Sequence, residues 1–145
     1  MRFMRKRTDV KMKLINKIII KSLFSGPSRD PGENYAARAL KKEGYKIIDR
    51  NYDIGFAEID LIAEKGDFLV FVEVKQRKTT AFGLPCQAVG PEKRRKIRRA
   101  AEHYIIKNKC KKQPRFDVVE IYGVCGETAE GAVEKPKVRH IKNAF

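Results

Sequence analysis

The run Phe68-Leu69-Val70-Phe71-Val72 is apolar at odd and even positions alike, so it reads as a strand buried on both of its faces. Glu73 and Lys75 extend that run, and charges at the end of a doubly buried strand usually serve chemistry or a tight ion pair. Just upstream, Ala57-Glu58-Ile59-Asp60-Leu61-Ile62 reads as a second strand. Glu64-Lys65-Gly66-Asp67 lies between the two, and a two-residue turn at Gly66-Asp67 makes them a hairpin. In that register Asp60 is opposite Glu73 and Glu58 is opposite Lys75. Side chains alternate along a strand, so all four project from one face. Two carboxylates on backbones about 4.5 to 5.5 Å apart repel each other and are costly in a half-buried sheet. A hard divalent cation such as Mg²⁺ (or Mn²⁺) relieves that repulsion, takes oxygen ligands, and keeps positions open for water and a substrate phosphate. A plainer reading stands beside this one. Alternating charge also marks a sheet with one wet face, and Glu58 with Lys75 can be an ordinary cross-strand ion pair.

The charge of the chain is concentrated. Lys and Arg number 33 against 18 Asp and Glu, for a net charge of +15. Residues 1–30 and 92–115 carry essentially all of that excess, so the basic character belongs to two patches and implies a polyanionic partner. At 145 residues the chain is sized for one ordinary domain. The expected division is a basic tail over residues 1–29 and a folded domain over 30–145. Three cysteines, Cys86, Cys110 and Cys125, are far apart and form no Cys-x-x-Cys pair, which argues for reduced thiols and a cytoplasmic setting. Lys13, Asn16, Lys17 and Lys21 interrupt the apolar residues near the N-terminus, so neither an export signal nor a membrane span is indicated.

Several elements announce their own ends. Residues 11–24 have the pattern of a short amphipathic helix, to be read as a solvated tail or as an element that docks on nucleic acid, a membrane surface or the domain itself, and Ser25-Gly26-Pro27-Ser28 reads as a linker. Asp30 as N-cap, Pro31 at the first helical position and Glu33 three residues after the cap predict a helix start, with Ala36, Ala39 and Leu40 as its apolar stripe and Gly44 as its stop. Capping alone accounts for Glu33, although a place in metal binding or substrate positioning is open to it. Tyr45 to Arg50 predicts a first strand that completes a three-stranded meander, and residues 76–88 a polar loop leaving the sheet beside Lys75.

Gly90-Pro91 opens a second helix whose core stripe is Ile97, Ala100, Ala101, Tyr104 and Ile105. Lys93, Arg94, Arg95, Lys96, Arg98 and Arg99 crowd its first two turns. These like charges repel one another, and phosphate binding explains them better than a solubilising face does. Phe116 to Tyr122 and Val138 to Ile141 predict the last two strands, with glycines at 123, 126 and 131 between them. His103 and His140 belong to no nucleophile constellation and are read as structural, and no glycine-rich phosphate loop is present.

Taken in order, Gly32-Glu33, Arg50-Asn51-Tyr52, Glu58-Ile59-Asp60-Leu61-Ile62-Ala63, Phe71-Val72-Glu73-Val74-Lys75-Gln76-Arg77, Arg115-Phe116-Asp117-Val118-Val119 and Asn143-Ala144-Phe145 resemble the YraN-type family. That family is similar to the archaeal Holliday-junction resolvases and, more broadly, to the restriction-endonuclease-like superfamily. The likeness implies an α/β fold with a restriction-endonuclease-like core, a mixed central sheet flanked by helices. It also implies a metal-dependent nuclease acting on DNA, with branched or structured DNA among the candidate substrates. Asp60 and Glu73, with the backbone carbonyl of Val74, would be the metal ligands, Lys75 a catalytic partner, and Glu33 the counterpart of the resolvases' helix glutamate. Arg77 and the basic helix would hold the DNA backbone, and a homodimer would suit a symmetric junction. Ala57 replaces the usual glycine and Gln76 a small hydroxyl residue, neither of them a metal ligand. A non-catalytic nucleic-acid-binding protein on the same scaffold, or a protein recruited to a membrane surface by its N-terminal helix, are the alternatives.

Overall fold

The computed structural model describes residues 30–77, 89–123 and 135–145. The expectations for residues 1–29, for the loop from Lys78 onward, and for Cys86, Cys125, Gly126 and Gly131 lie outside the described residues. Helix α1 (Pro31–Lys42) starts as its sequence dictates: Asp30 Oδ1 accepts hydrogen bonds from the Gly32 and Glu33 amides at 2.7 and 3.4 Å. It ends in a Schellman motif. Gly44 takes φ 88°, its amide bonds the Lys41 carbonyl, and the Tyr45 amide bonds the Leu40 carbonyl. Gln76 Nε2 also donates to Asp30 Oδ1, at 2.6 Å, and a Cβ at Gly32 would strike the Gln76 side chain, so the cap ties the end of the central strand to the helix. Asp30→Ala is expected to lower stability by about 1 kcal/mol, read as a shift of a few degrees in thermal melting.

The five strands are β1 (Lys46–Asp53), β2 (Glu58–Lys65), β3 (Phe68–Arg77), β4 (Gln113–Tyr122) and β5 (Lys137–Ile141), and they form one sheet in chain order. Helix α2 (Pro91–Asn108) lies in the crossover between β3 and β4, which are parallel, while the other neighbours are antiparallel. Gly66, at φ 56°, turns the hairpin, and the register runs from Lys65↔Phe68 to Leu61↔Val72, the one the turn predicted. Strand β3 is buried on both faces. Val70 and Val72 pack with Ala36, Ala37 and Leu40 of α1, whereas Leu69 and Phe71 pack with Ile97, Ala100, Ala101 and Tyr104 of α2. This mixed sheet with a helix on each face is compatible with a restriction-endonuclease-like core. Among the described residues no helix is long and apolar enough to cross a membrane.

One irregularity shapes everything near Asp60. Residues two apart in a regular strand share a face. Arg50, however, donates to Asn34 of α1 at 3.0 Å, whereas Tyr52 joins the core under α2, its hydroxyl 2.6 Å from His103 Nδ1. The partner strand does the same, with Leu61 in the α1 core and Ile59 in the α2 core. The break is Asn51, whose φ of 47° is left-handed and rare for a residue with a side chain. Arg50 pairs with Leu61 and Tyr52 with Ile59, so Asp60 sits across from Asn51 at the point where the ribbon reverses.

On the α1 face, Asp117 is fully buried and accepts from Arg115 Nε at 2.9 Å, Arg115 Nη2 at 2.7 Å and the Asn143 amide at 3.0 Å. His140 bridges Asp117 and Glu43, 2.8 Å from each. Burial would raise the Asp117 pKa, but hydrogen bonds from His140, Arg115 and the Asn143 amide outweigh it and hold the group below the usual carboxylate value. Burial would lower His140, and its bonds to Asp117 and then Glu43 raise it instead. His140 is structural, as the sequence indicated.

Candidate functional site

Strand β3 continues beside β4 to Arg77↔Tyr122, but its ladder with β2 ends at Leu61↔Val72. Beyond that point β2 and β3 part. The Val74 amide, which would have continued the ladder, donates instead to Asp60 Oδ2 at 2.7 Å. Asp60, across from Asn51, is thus a carboxylate held in a fork between two strands. Glu73 is the other wall of the fork. It is 5% exposed, its Oε1 is 3.2 Å from Lys75 Nζ and 3.5 Å from Lys93 Nζ, and its Oε2 is buried with no hydrogen-bond partner among the described residues. A buried polar atom without a partner is rare enough to require an account.

The electrostatics of Asp60 say the same. Burial first, and then the Glu73 carboxylate, raise its pKa from 3.8 to about 7, with a smaller push from Glu33, while the Val74 amide and Lys93 act the other way. The Asp60 carboxyl thus faces the Glu73 carboxylate in a place that disfavours charge on Asp60. The donor chemistry fits a hard divalent cation: two carboxylates, one of them with an unpartnered buried oxygen. Glu33 stands one step out. Its Oε2 accepts from Asn51 Nδ2 at 2.9 Å, so it braces the left-handed residue opposite Asp60 and also contributes to the field there. Among the described residues no three His, Cys, Asp or Glu side chains gather closely enough to hold a metal ion, and Glu33 accordingly does not complete a carboxylate triad.

Two expected pairings are corrected, the first of them Asp60 with Glu73, which lies beyond the last β2–β3 pair, Leu61↔Val72. Glu58 does not pair with Lys75, because the β2–β3 ladder stops short of it; Glu58 pairs across the other edge with Asp53, and the Lys75 ammonium turns to Glu73 on its own strand. The six basic residues clustered between Lys93 and Arg99 of α2 also divide. Lys93 reaches the fork. Arg94 and Arg98 stack over Phe145, with Arg98 also over Phe116, so these two brace the C-terminal residues against the helix. Lys96 pairs with Glu92, Arg95 is exposed, and Arg99 lies over the ring of Phe56. Arg77 is 3.6 Å from Glu120, a buried residue that also meets Arg139 at 3.8 Å and accepts from the Tyr122 hydroxyl at 2.6 Å. Glu120 and Arg139, which the sequence did not single out, thus continue the charged face of β3 across β4 and β5. The in-register alternation of Lys75, Glu120 and Arg139 was the available signal, and it becomes visible only once the parallel pairing of β3 with β4 is known.

Residues 32–121 match the uncharacterised protein family UPF0102. The chain belongs to this family. UPF0102 relatives of similar length include a protein of Clostridioides difficile, 44% identical over 117 residues that make up 80% of this chain and 94% of the relative. One from Caldanaerobacter subterraneus subsp. tengcongensis is 42% identical over 135 residues, 92% of this chain and 100% of the relative. A third, from Syntrophomonas wolfei, is 43% identical over 114 residues, 79% of this chain and 93% of the relative. The UPF0102 match spans the fork, both of its lysines and the whole of α2.

Proposed function

We propose that this UPF0102 protein is a metal-dependent nuclease that hydrolyses phosphodiester bonds in DNA, branched or otherwise structured DNA included. The observation that carries the reading is the half-buried Asp60 and the buried Glu73 at the parting of two strands, one carboxylate raised to about 7 and the other with an unpartnered oxygen. Asp60, Glu73 and the Val74 carbonyl would hold a Mg²⁺ or Mn²⁺ ion, which supplies Lewis-acid polarisation of a phosphoryl oxygen and a more acidic bound water. Asp60 is positioned for this by the Val74 amide, and Asn51 and Glu33 fix the backbone opposite. Lys75 places a positive charge beside Glu73, where it can orient a water and offset charge developing on the phosphoryl oxygens. Lys93, Arg95 and Lys96 on α2, with Arg77 on β3, supply phosphate contacts that position the backbone and carry no sequence information. Arg94, Arg98 and Arg99 lie against aromatic rings with their charge intact and add to the field. A cytoplasmic setting and a homodimer on symmetric substrates belong to the same reading.

A second reading has its own support. Lys75 and Lys93 already neutralise Glu73, as they would in a non-catalytic nucleic-acid-binding protein built on the same scaffold. Labelled linear, flapped and four-way-junction DNA incubated with Mg²⁺ or Mn²⁺ separates the two. Cleavage by the wild type that falls at least a hundredfold in Glu73→Gln, with binding at two salt concentrations retained, is the expected result. Equal salt-sensitive binding without cleavage by either protein favours the binding module.

A further inference from the structure

Phe56 is 54% exposed at the tip of the β1–β2 hairpin, and its place there is built. The Ile54 amide bonds the Ala57 carbonyl at 3.0 Å, Asp53 Oδ1 accepts from the Gly55 amide at 2.7 Å, and Gly55 takes φ 95°, so the turn is tight. Ala57 is buried in the core under α2 and Ile54 packs against it, which leaves Phe56 pointing out between two anchors. A lone exposed aromatic needs no explanation. This one forms a wall of a polar groove of about 330 Å³ between the hairpin tip and the first turns of α2, with Lys93, Lys96 and Glu58 among its other walls. The Arg99 guanidinium lies 5.4 Å from the ring centroid.

Lys93 connects this groove to the carboxylate fork, since it lines the groove and its ammonium is 3.5 Å from Glu73. A DNA strand with a phosphate at Lys75 and Lys93 would bring a nucleotide to the groove next door. An aromatic ring beside cationic side chains is the chemistry that binds single-stranded nucleic acid, by stacking on the base and pairing with the phosphate. Glu58 offers an acceptor at the same wall, suited to a base amino group and repellent to a second phosphate. A base within a duplex has both faces covered by its neighbours and must leave the stack to reach Phe56, whereas an unpaired base is already available.

We infer that Phe56, with the groove it shares with Lys93 and Lys96, is a stacking site for one unpaired nucleotide beside the carboxylate site, so the protein prefers DNA that carries an unpaired base near the bound phosphate. This rests on the nucleic-acid part of the proposed function and is tested apart from hydrolysis. Binding is measured without divalent metal, by fluorescence anisotropy on a blunt duplex, a single strand and a flapped duplex, for the wild type, Phe56→Ala and Phe56→Trp. A 2-aminopurine base at the unpaired position reports stacking. Phe56→Ala is expected to weaken single-strand and flap binding about tenfold, to leave blunt-duplex binding within about twofold, and to abolish the 2-aminopurine quenching, with Phe56→Trp restoring both. The exposed position makes these variants neutral to folding, which unchanged melting temperatures would verify. Unchanged binding in Phe56→Ala, or equal loss on all three DNAs, overturns the inference and leaves the nuclease reading in place. Selective loss in a protein that never cleaves upholds the stacking site and overturns the hydrolysis reading. Absence of wild-type binding to any of the DNAs overturns both.

Discussion

Asp60→Asn is expected to make the metal-free protein more stable at pH 8 by about 2 to 4 kcal/mol. The sign follows from the direction in which the group is moved: the Asp60 pKa is about 7 in the folded chain against 3.8 as its ordinary value. A carboxyl raised on folding contributes stability that is complete below the unfolded value and is lost as pH rises through the folded one, here between about 4 and 7. A tenfold change in proton affinity corresponds to about 1.4 kcal/mol, which bounds the loss at about 4 kcal/mol. Asparagine carries no charge into the fork and keeps an oxygen to accept from the Val74 amide. Thermal melting of both proteins in chelator from pH 5 to pH 8 reads this out. The wild type should lose stability across the whole range, while the variant should fall only where His140, raised above 6.5, gives up its proton. Adding Mg²⁺ at pH 8 should raise the wild-type melting temperature and leave the variant unmoved, since an ion that binds the native state stabilises it by mass action. A variant that melts lower than the wild type at pH 8, or keeps its full pH slope, would sink this account of the fork.

Arg115→Met should cost roughly 3 to 5 kcal/mol, because it leaves Asp117 ionised and fully buried without its bidentate partner. Arg115 also lies over the rings of Tyr45 and Phe68, and methionine replaces only part of that packing. The melting temperature should drop by roughly 10 °C or more. Replacing both members, Arg115→Met with Asp117→Leu, removes the stranded charge and should recover part of the loss; a double variant no better than the sum of its singles would show the pair is not coupled. The pH response tells the same story. Asp117 is depressed, so its contribution is present above 3.8 and is lost as pH falls through its lower folded value. Acid should therefore destabilise the wild type steeply and Arg115→Met less so.

Much of this was legible in the chain because it is local. Asp30, Pro31 and Gly44 mark the first helix within one turn at each end, and Gly66-Asp67 fixes the hairpin register that puts Asp60 near Glu73. The apolar run in β3 announced a strand covered on both sides. What escaped depends on distant residues or on a rare backbone state. Nothing in Arg50-Asn51-Tyr52 declares a left-handed asparagine, and nothing in the hairpin declares that its ladder stops at Leu61↔Val72, short of Asp60 and Glu58. The six basic residues from Lys93 to Arg99 look alike in sequence, yet Arg94 and Arg98 share the side of the helix that meets Phe145, so their partners were decided at the far end of the chain. Phe56 carries no signal in the sequence because an aromatic in a short turn breaks no pattern; only the groove beside it gives it a meaning.

The two outer strands of the sheet bear on assembly. An uncovered strand edge invites another chain to add itself in register, and proteins that stay apart blunt such edges with kinks, charges or brevity. Here β1 carries a register shift between Ile47 and Asp49 and then the reversal at Asn51, while β5 is five residues long and bears Lys137 and Arg139. Neither offers a straight, neutral template. The left-handed asparagine across from Asp60 therefore also blunts one of these edges, and two copies that pair on a symmetric DNA are expected to meet through surfaces other than the sheet edges of the described residues.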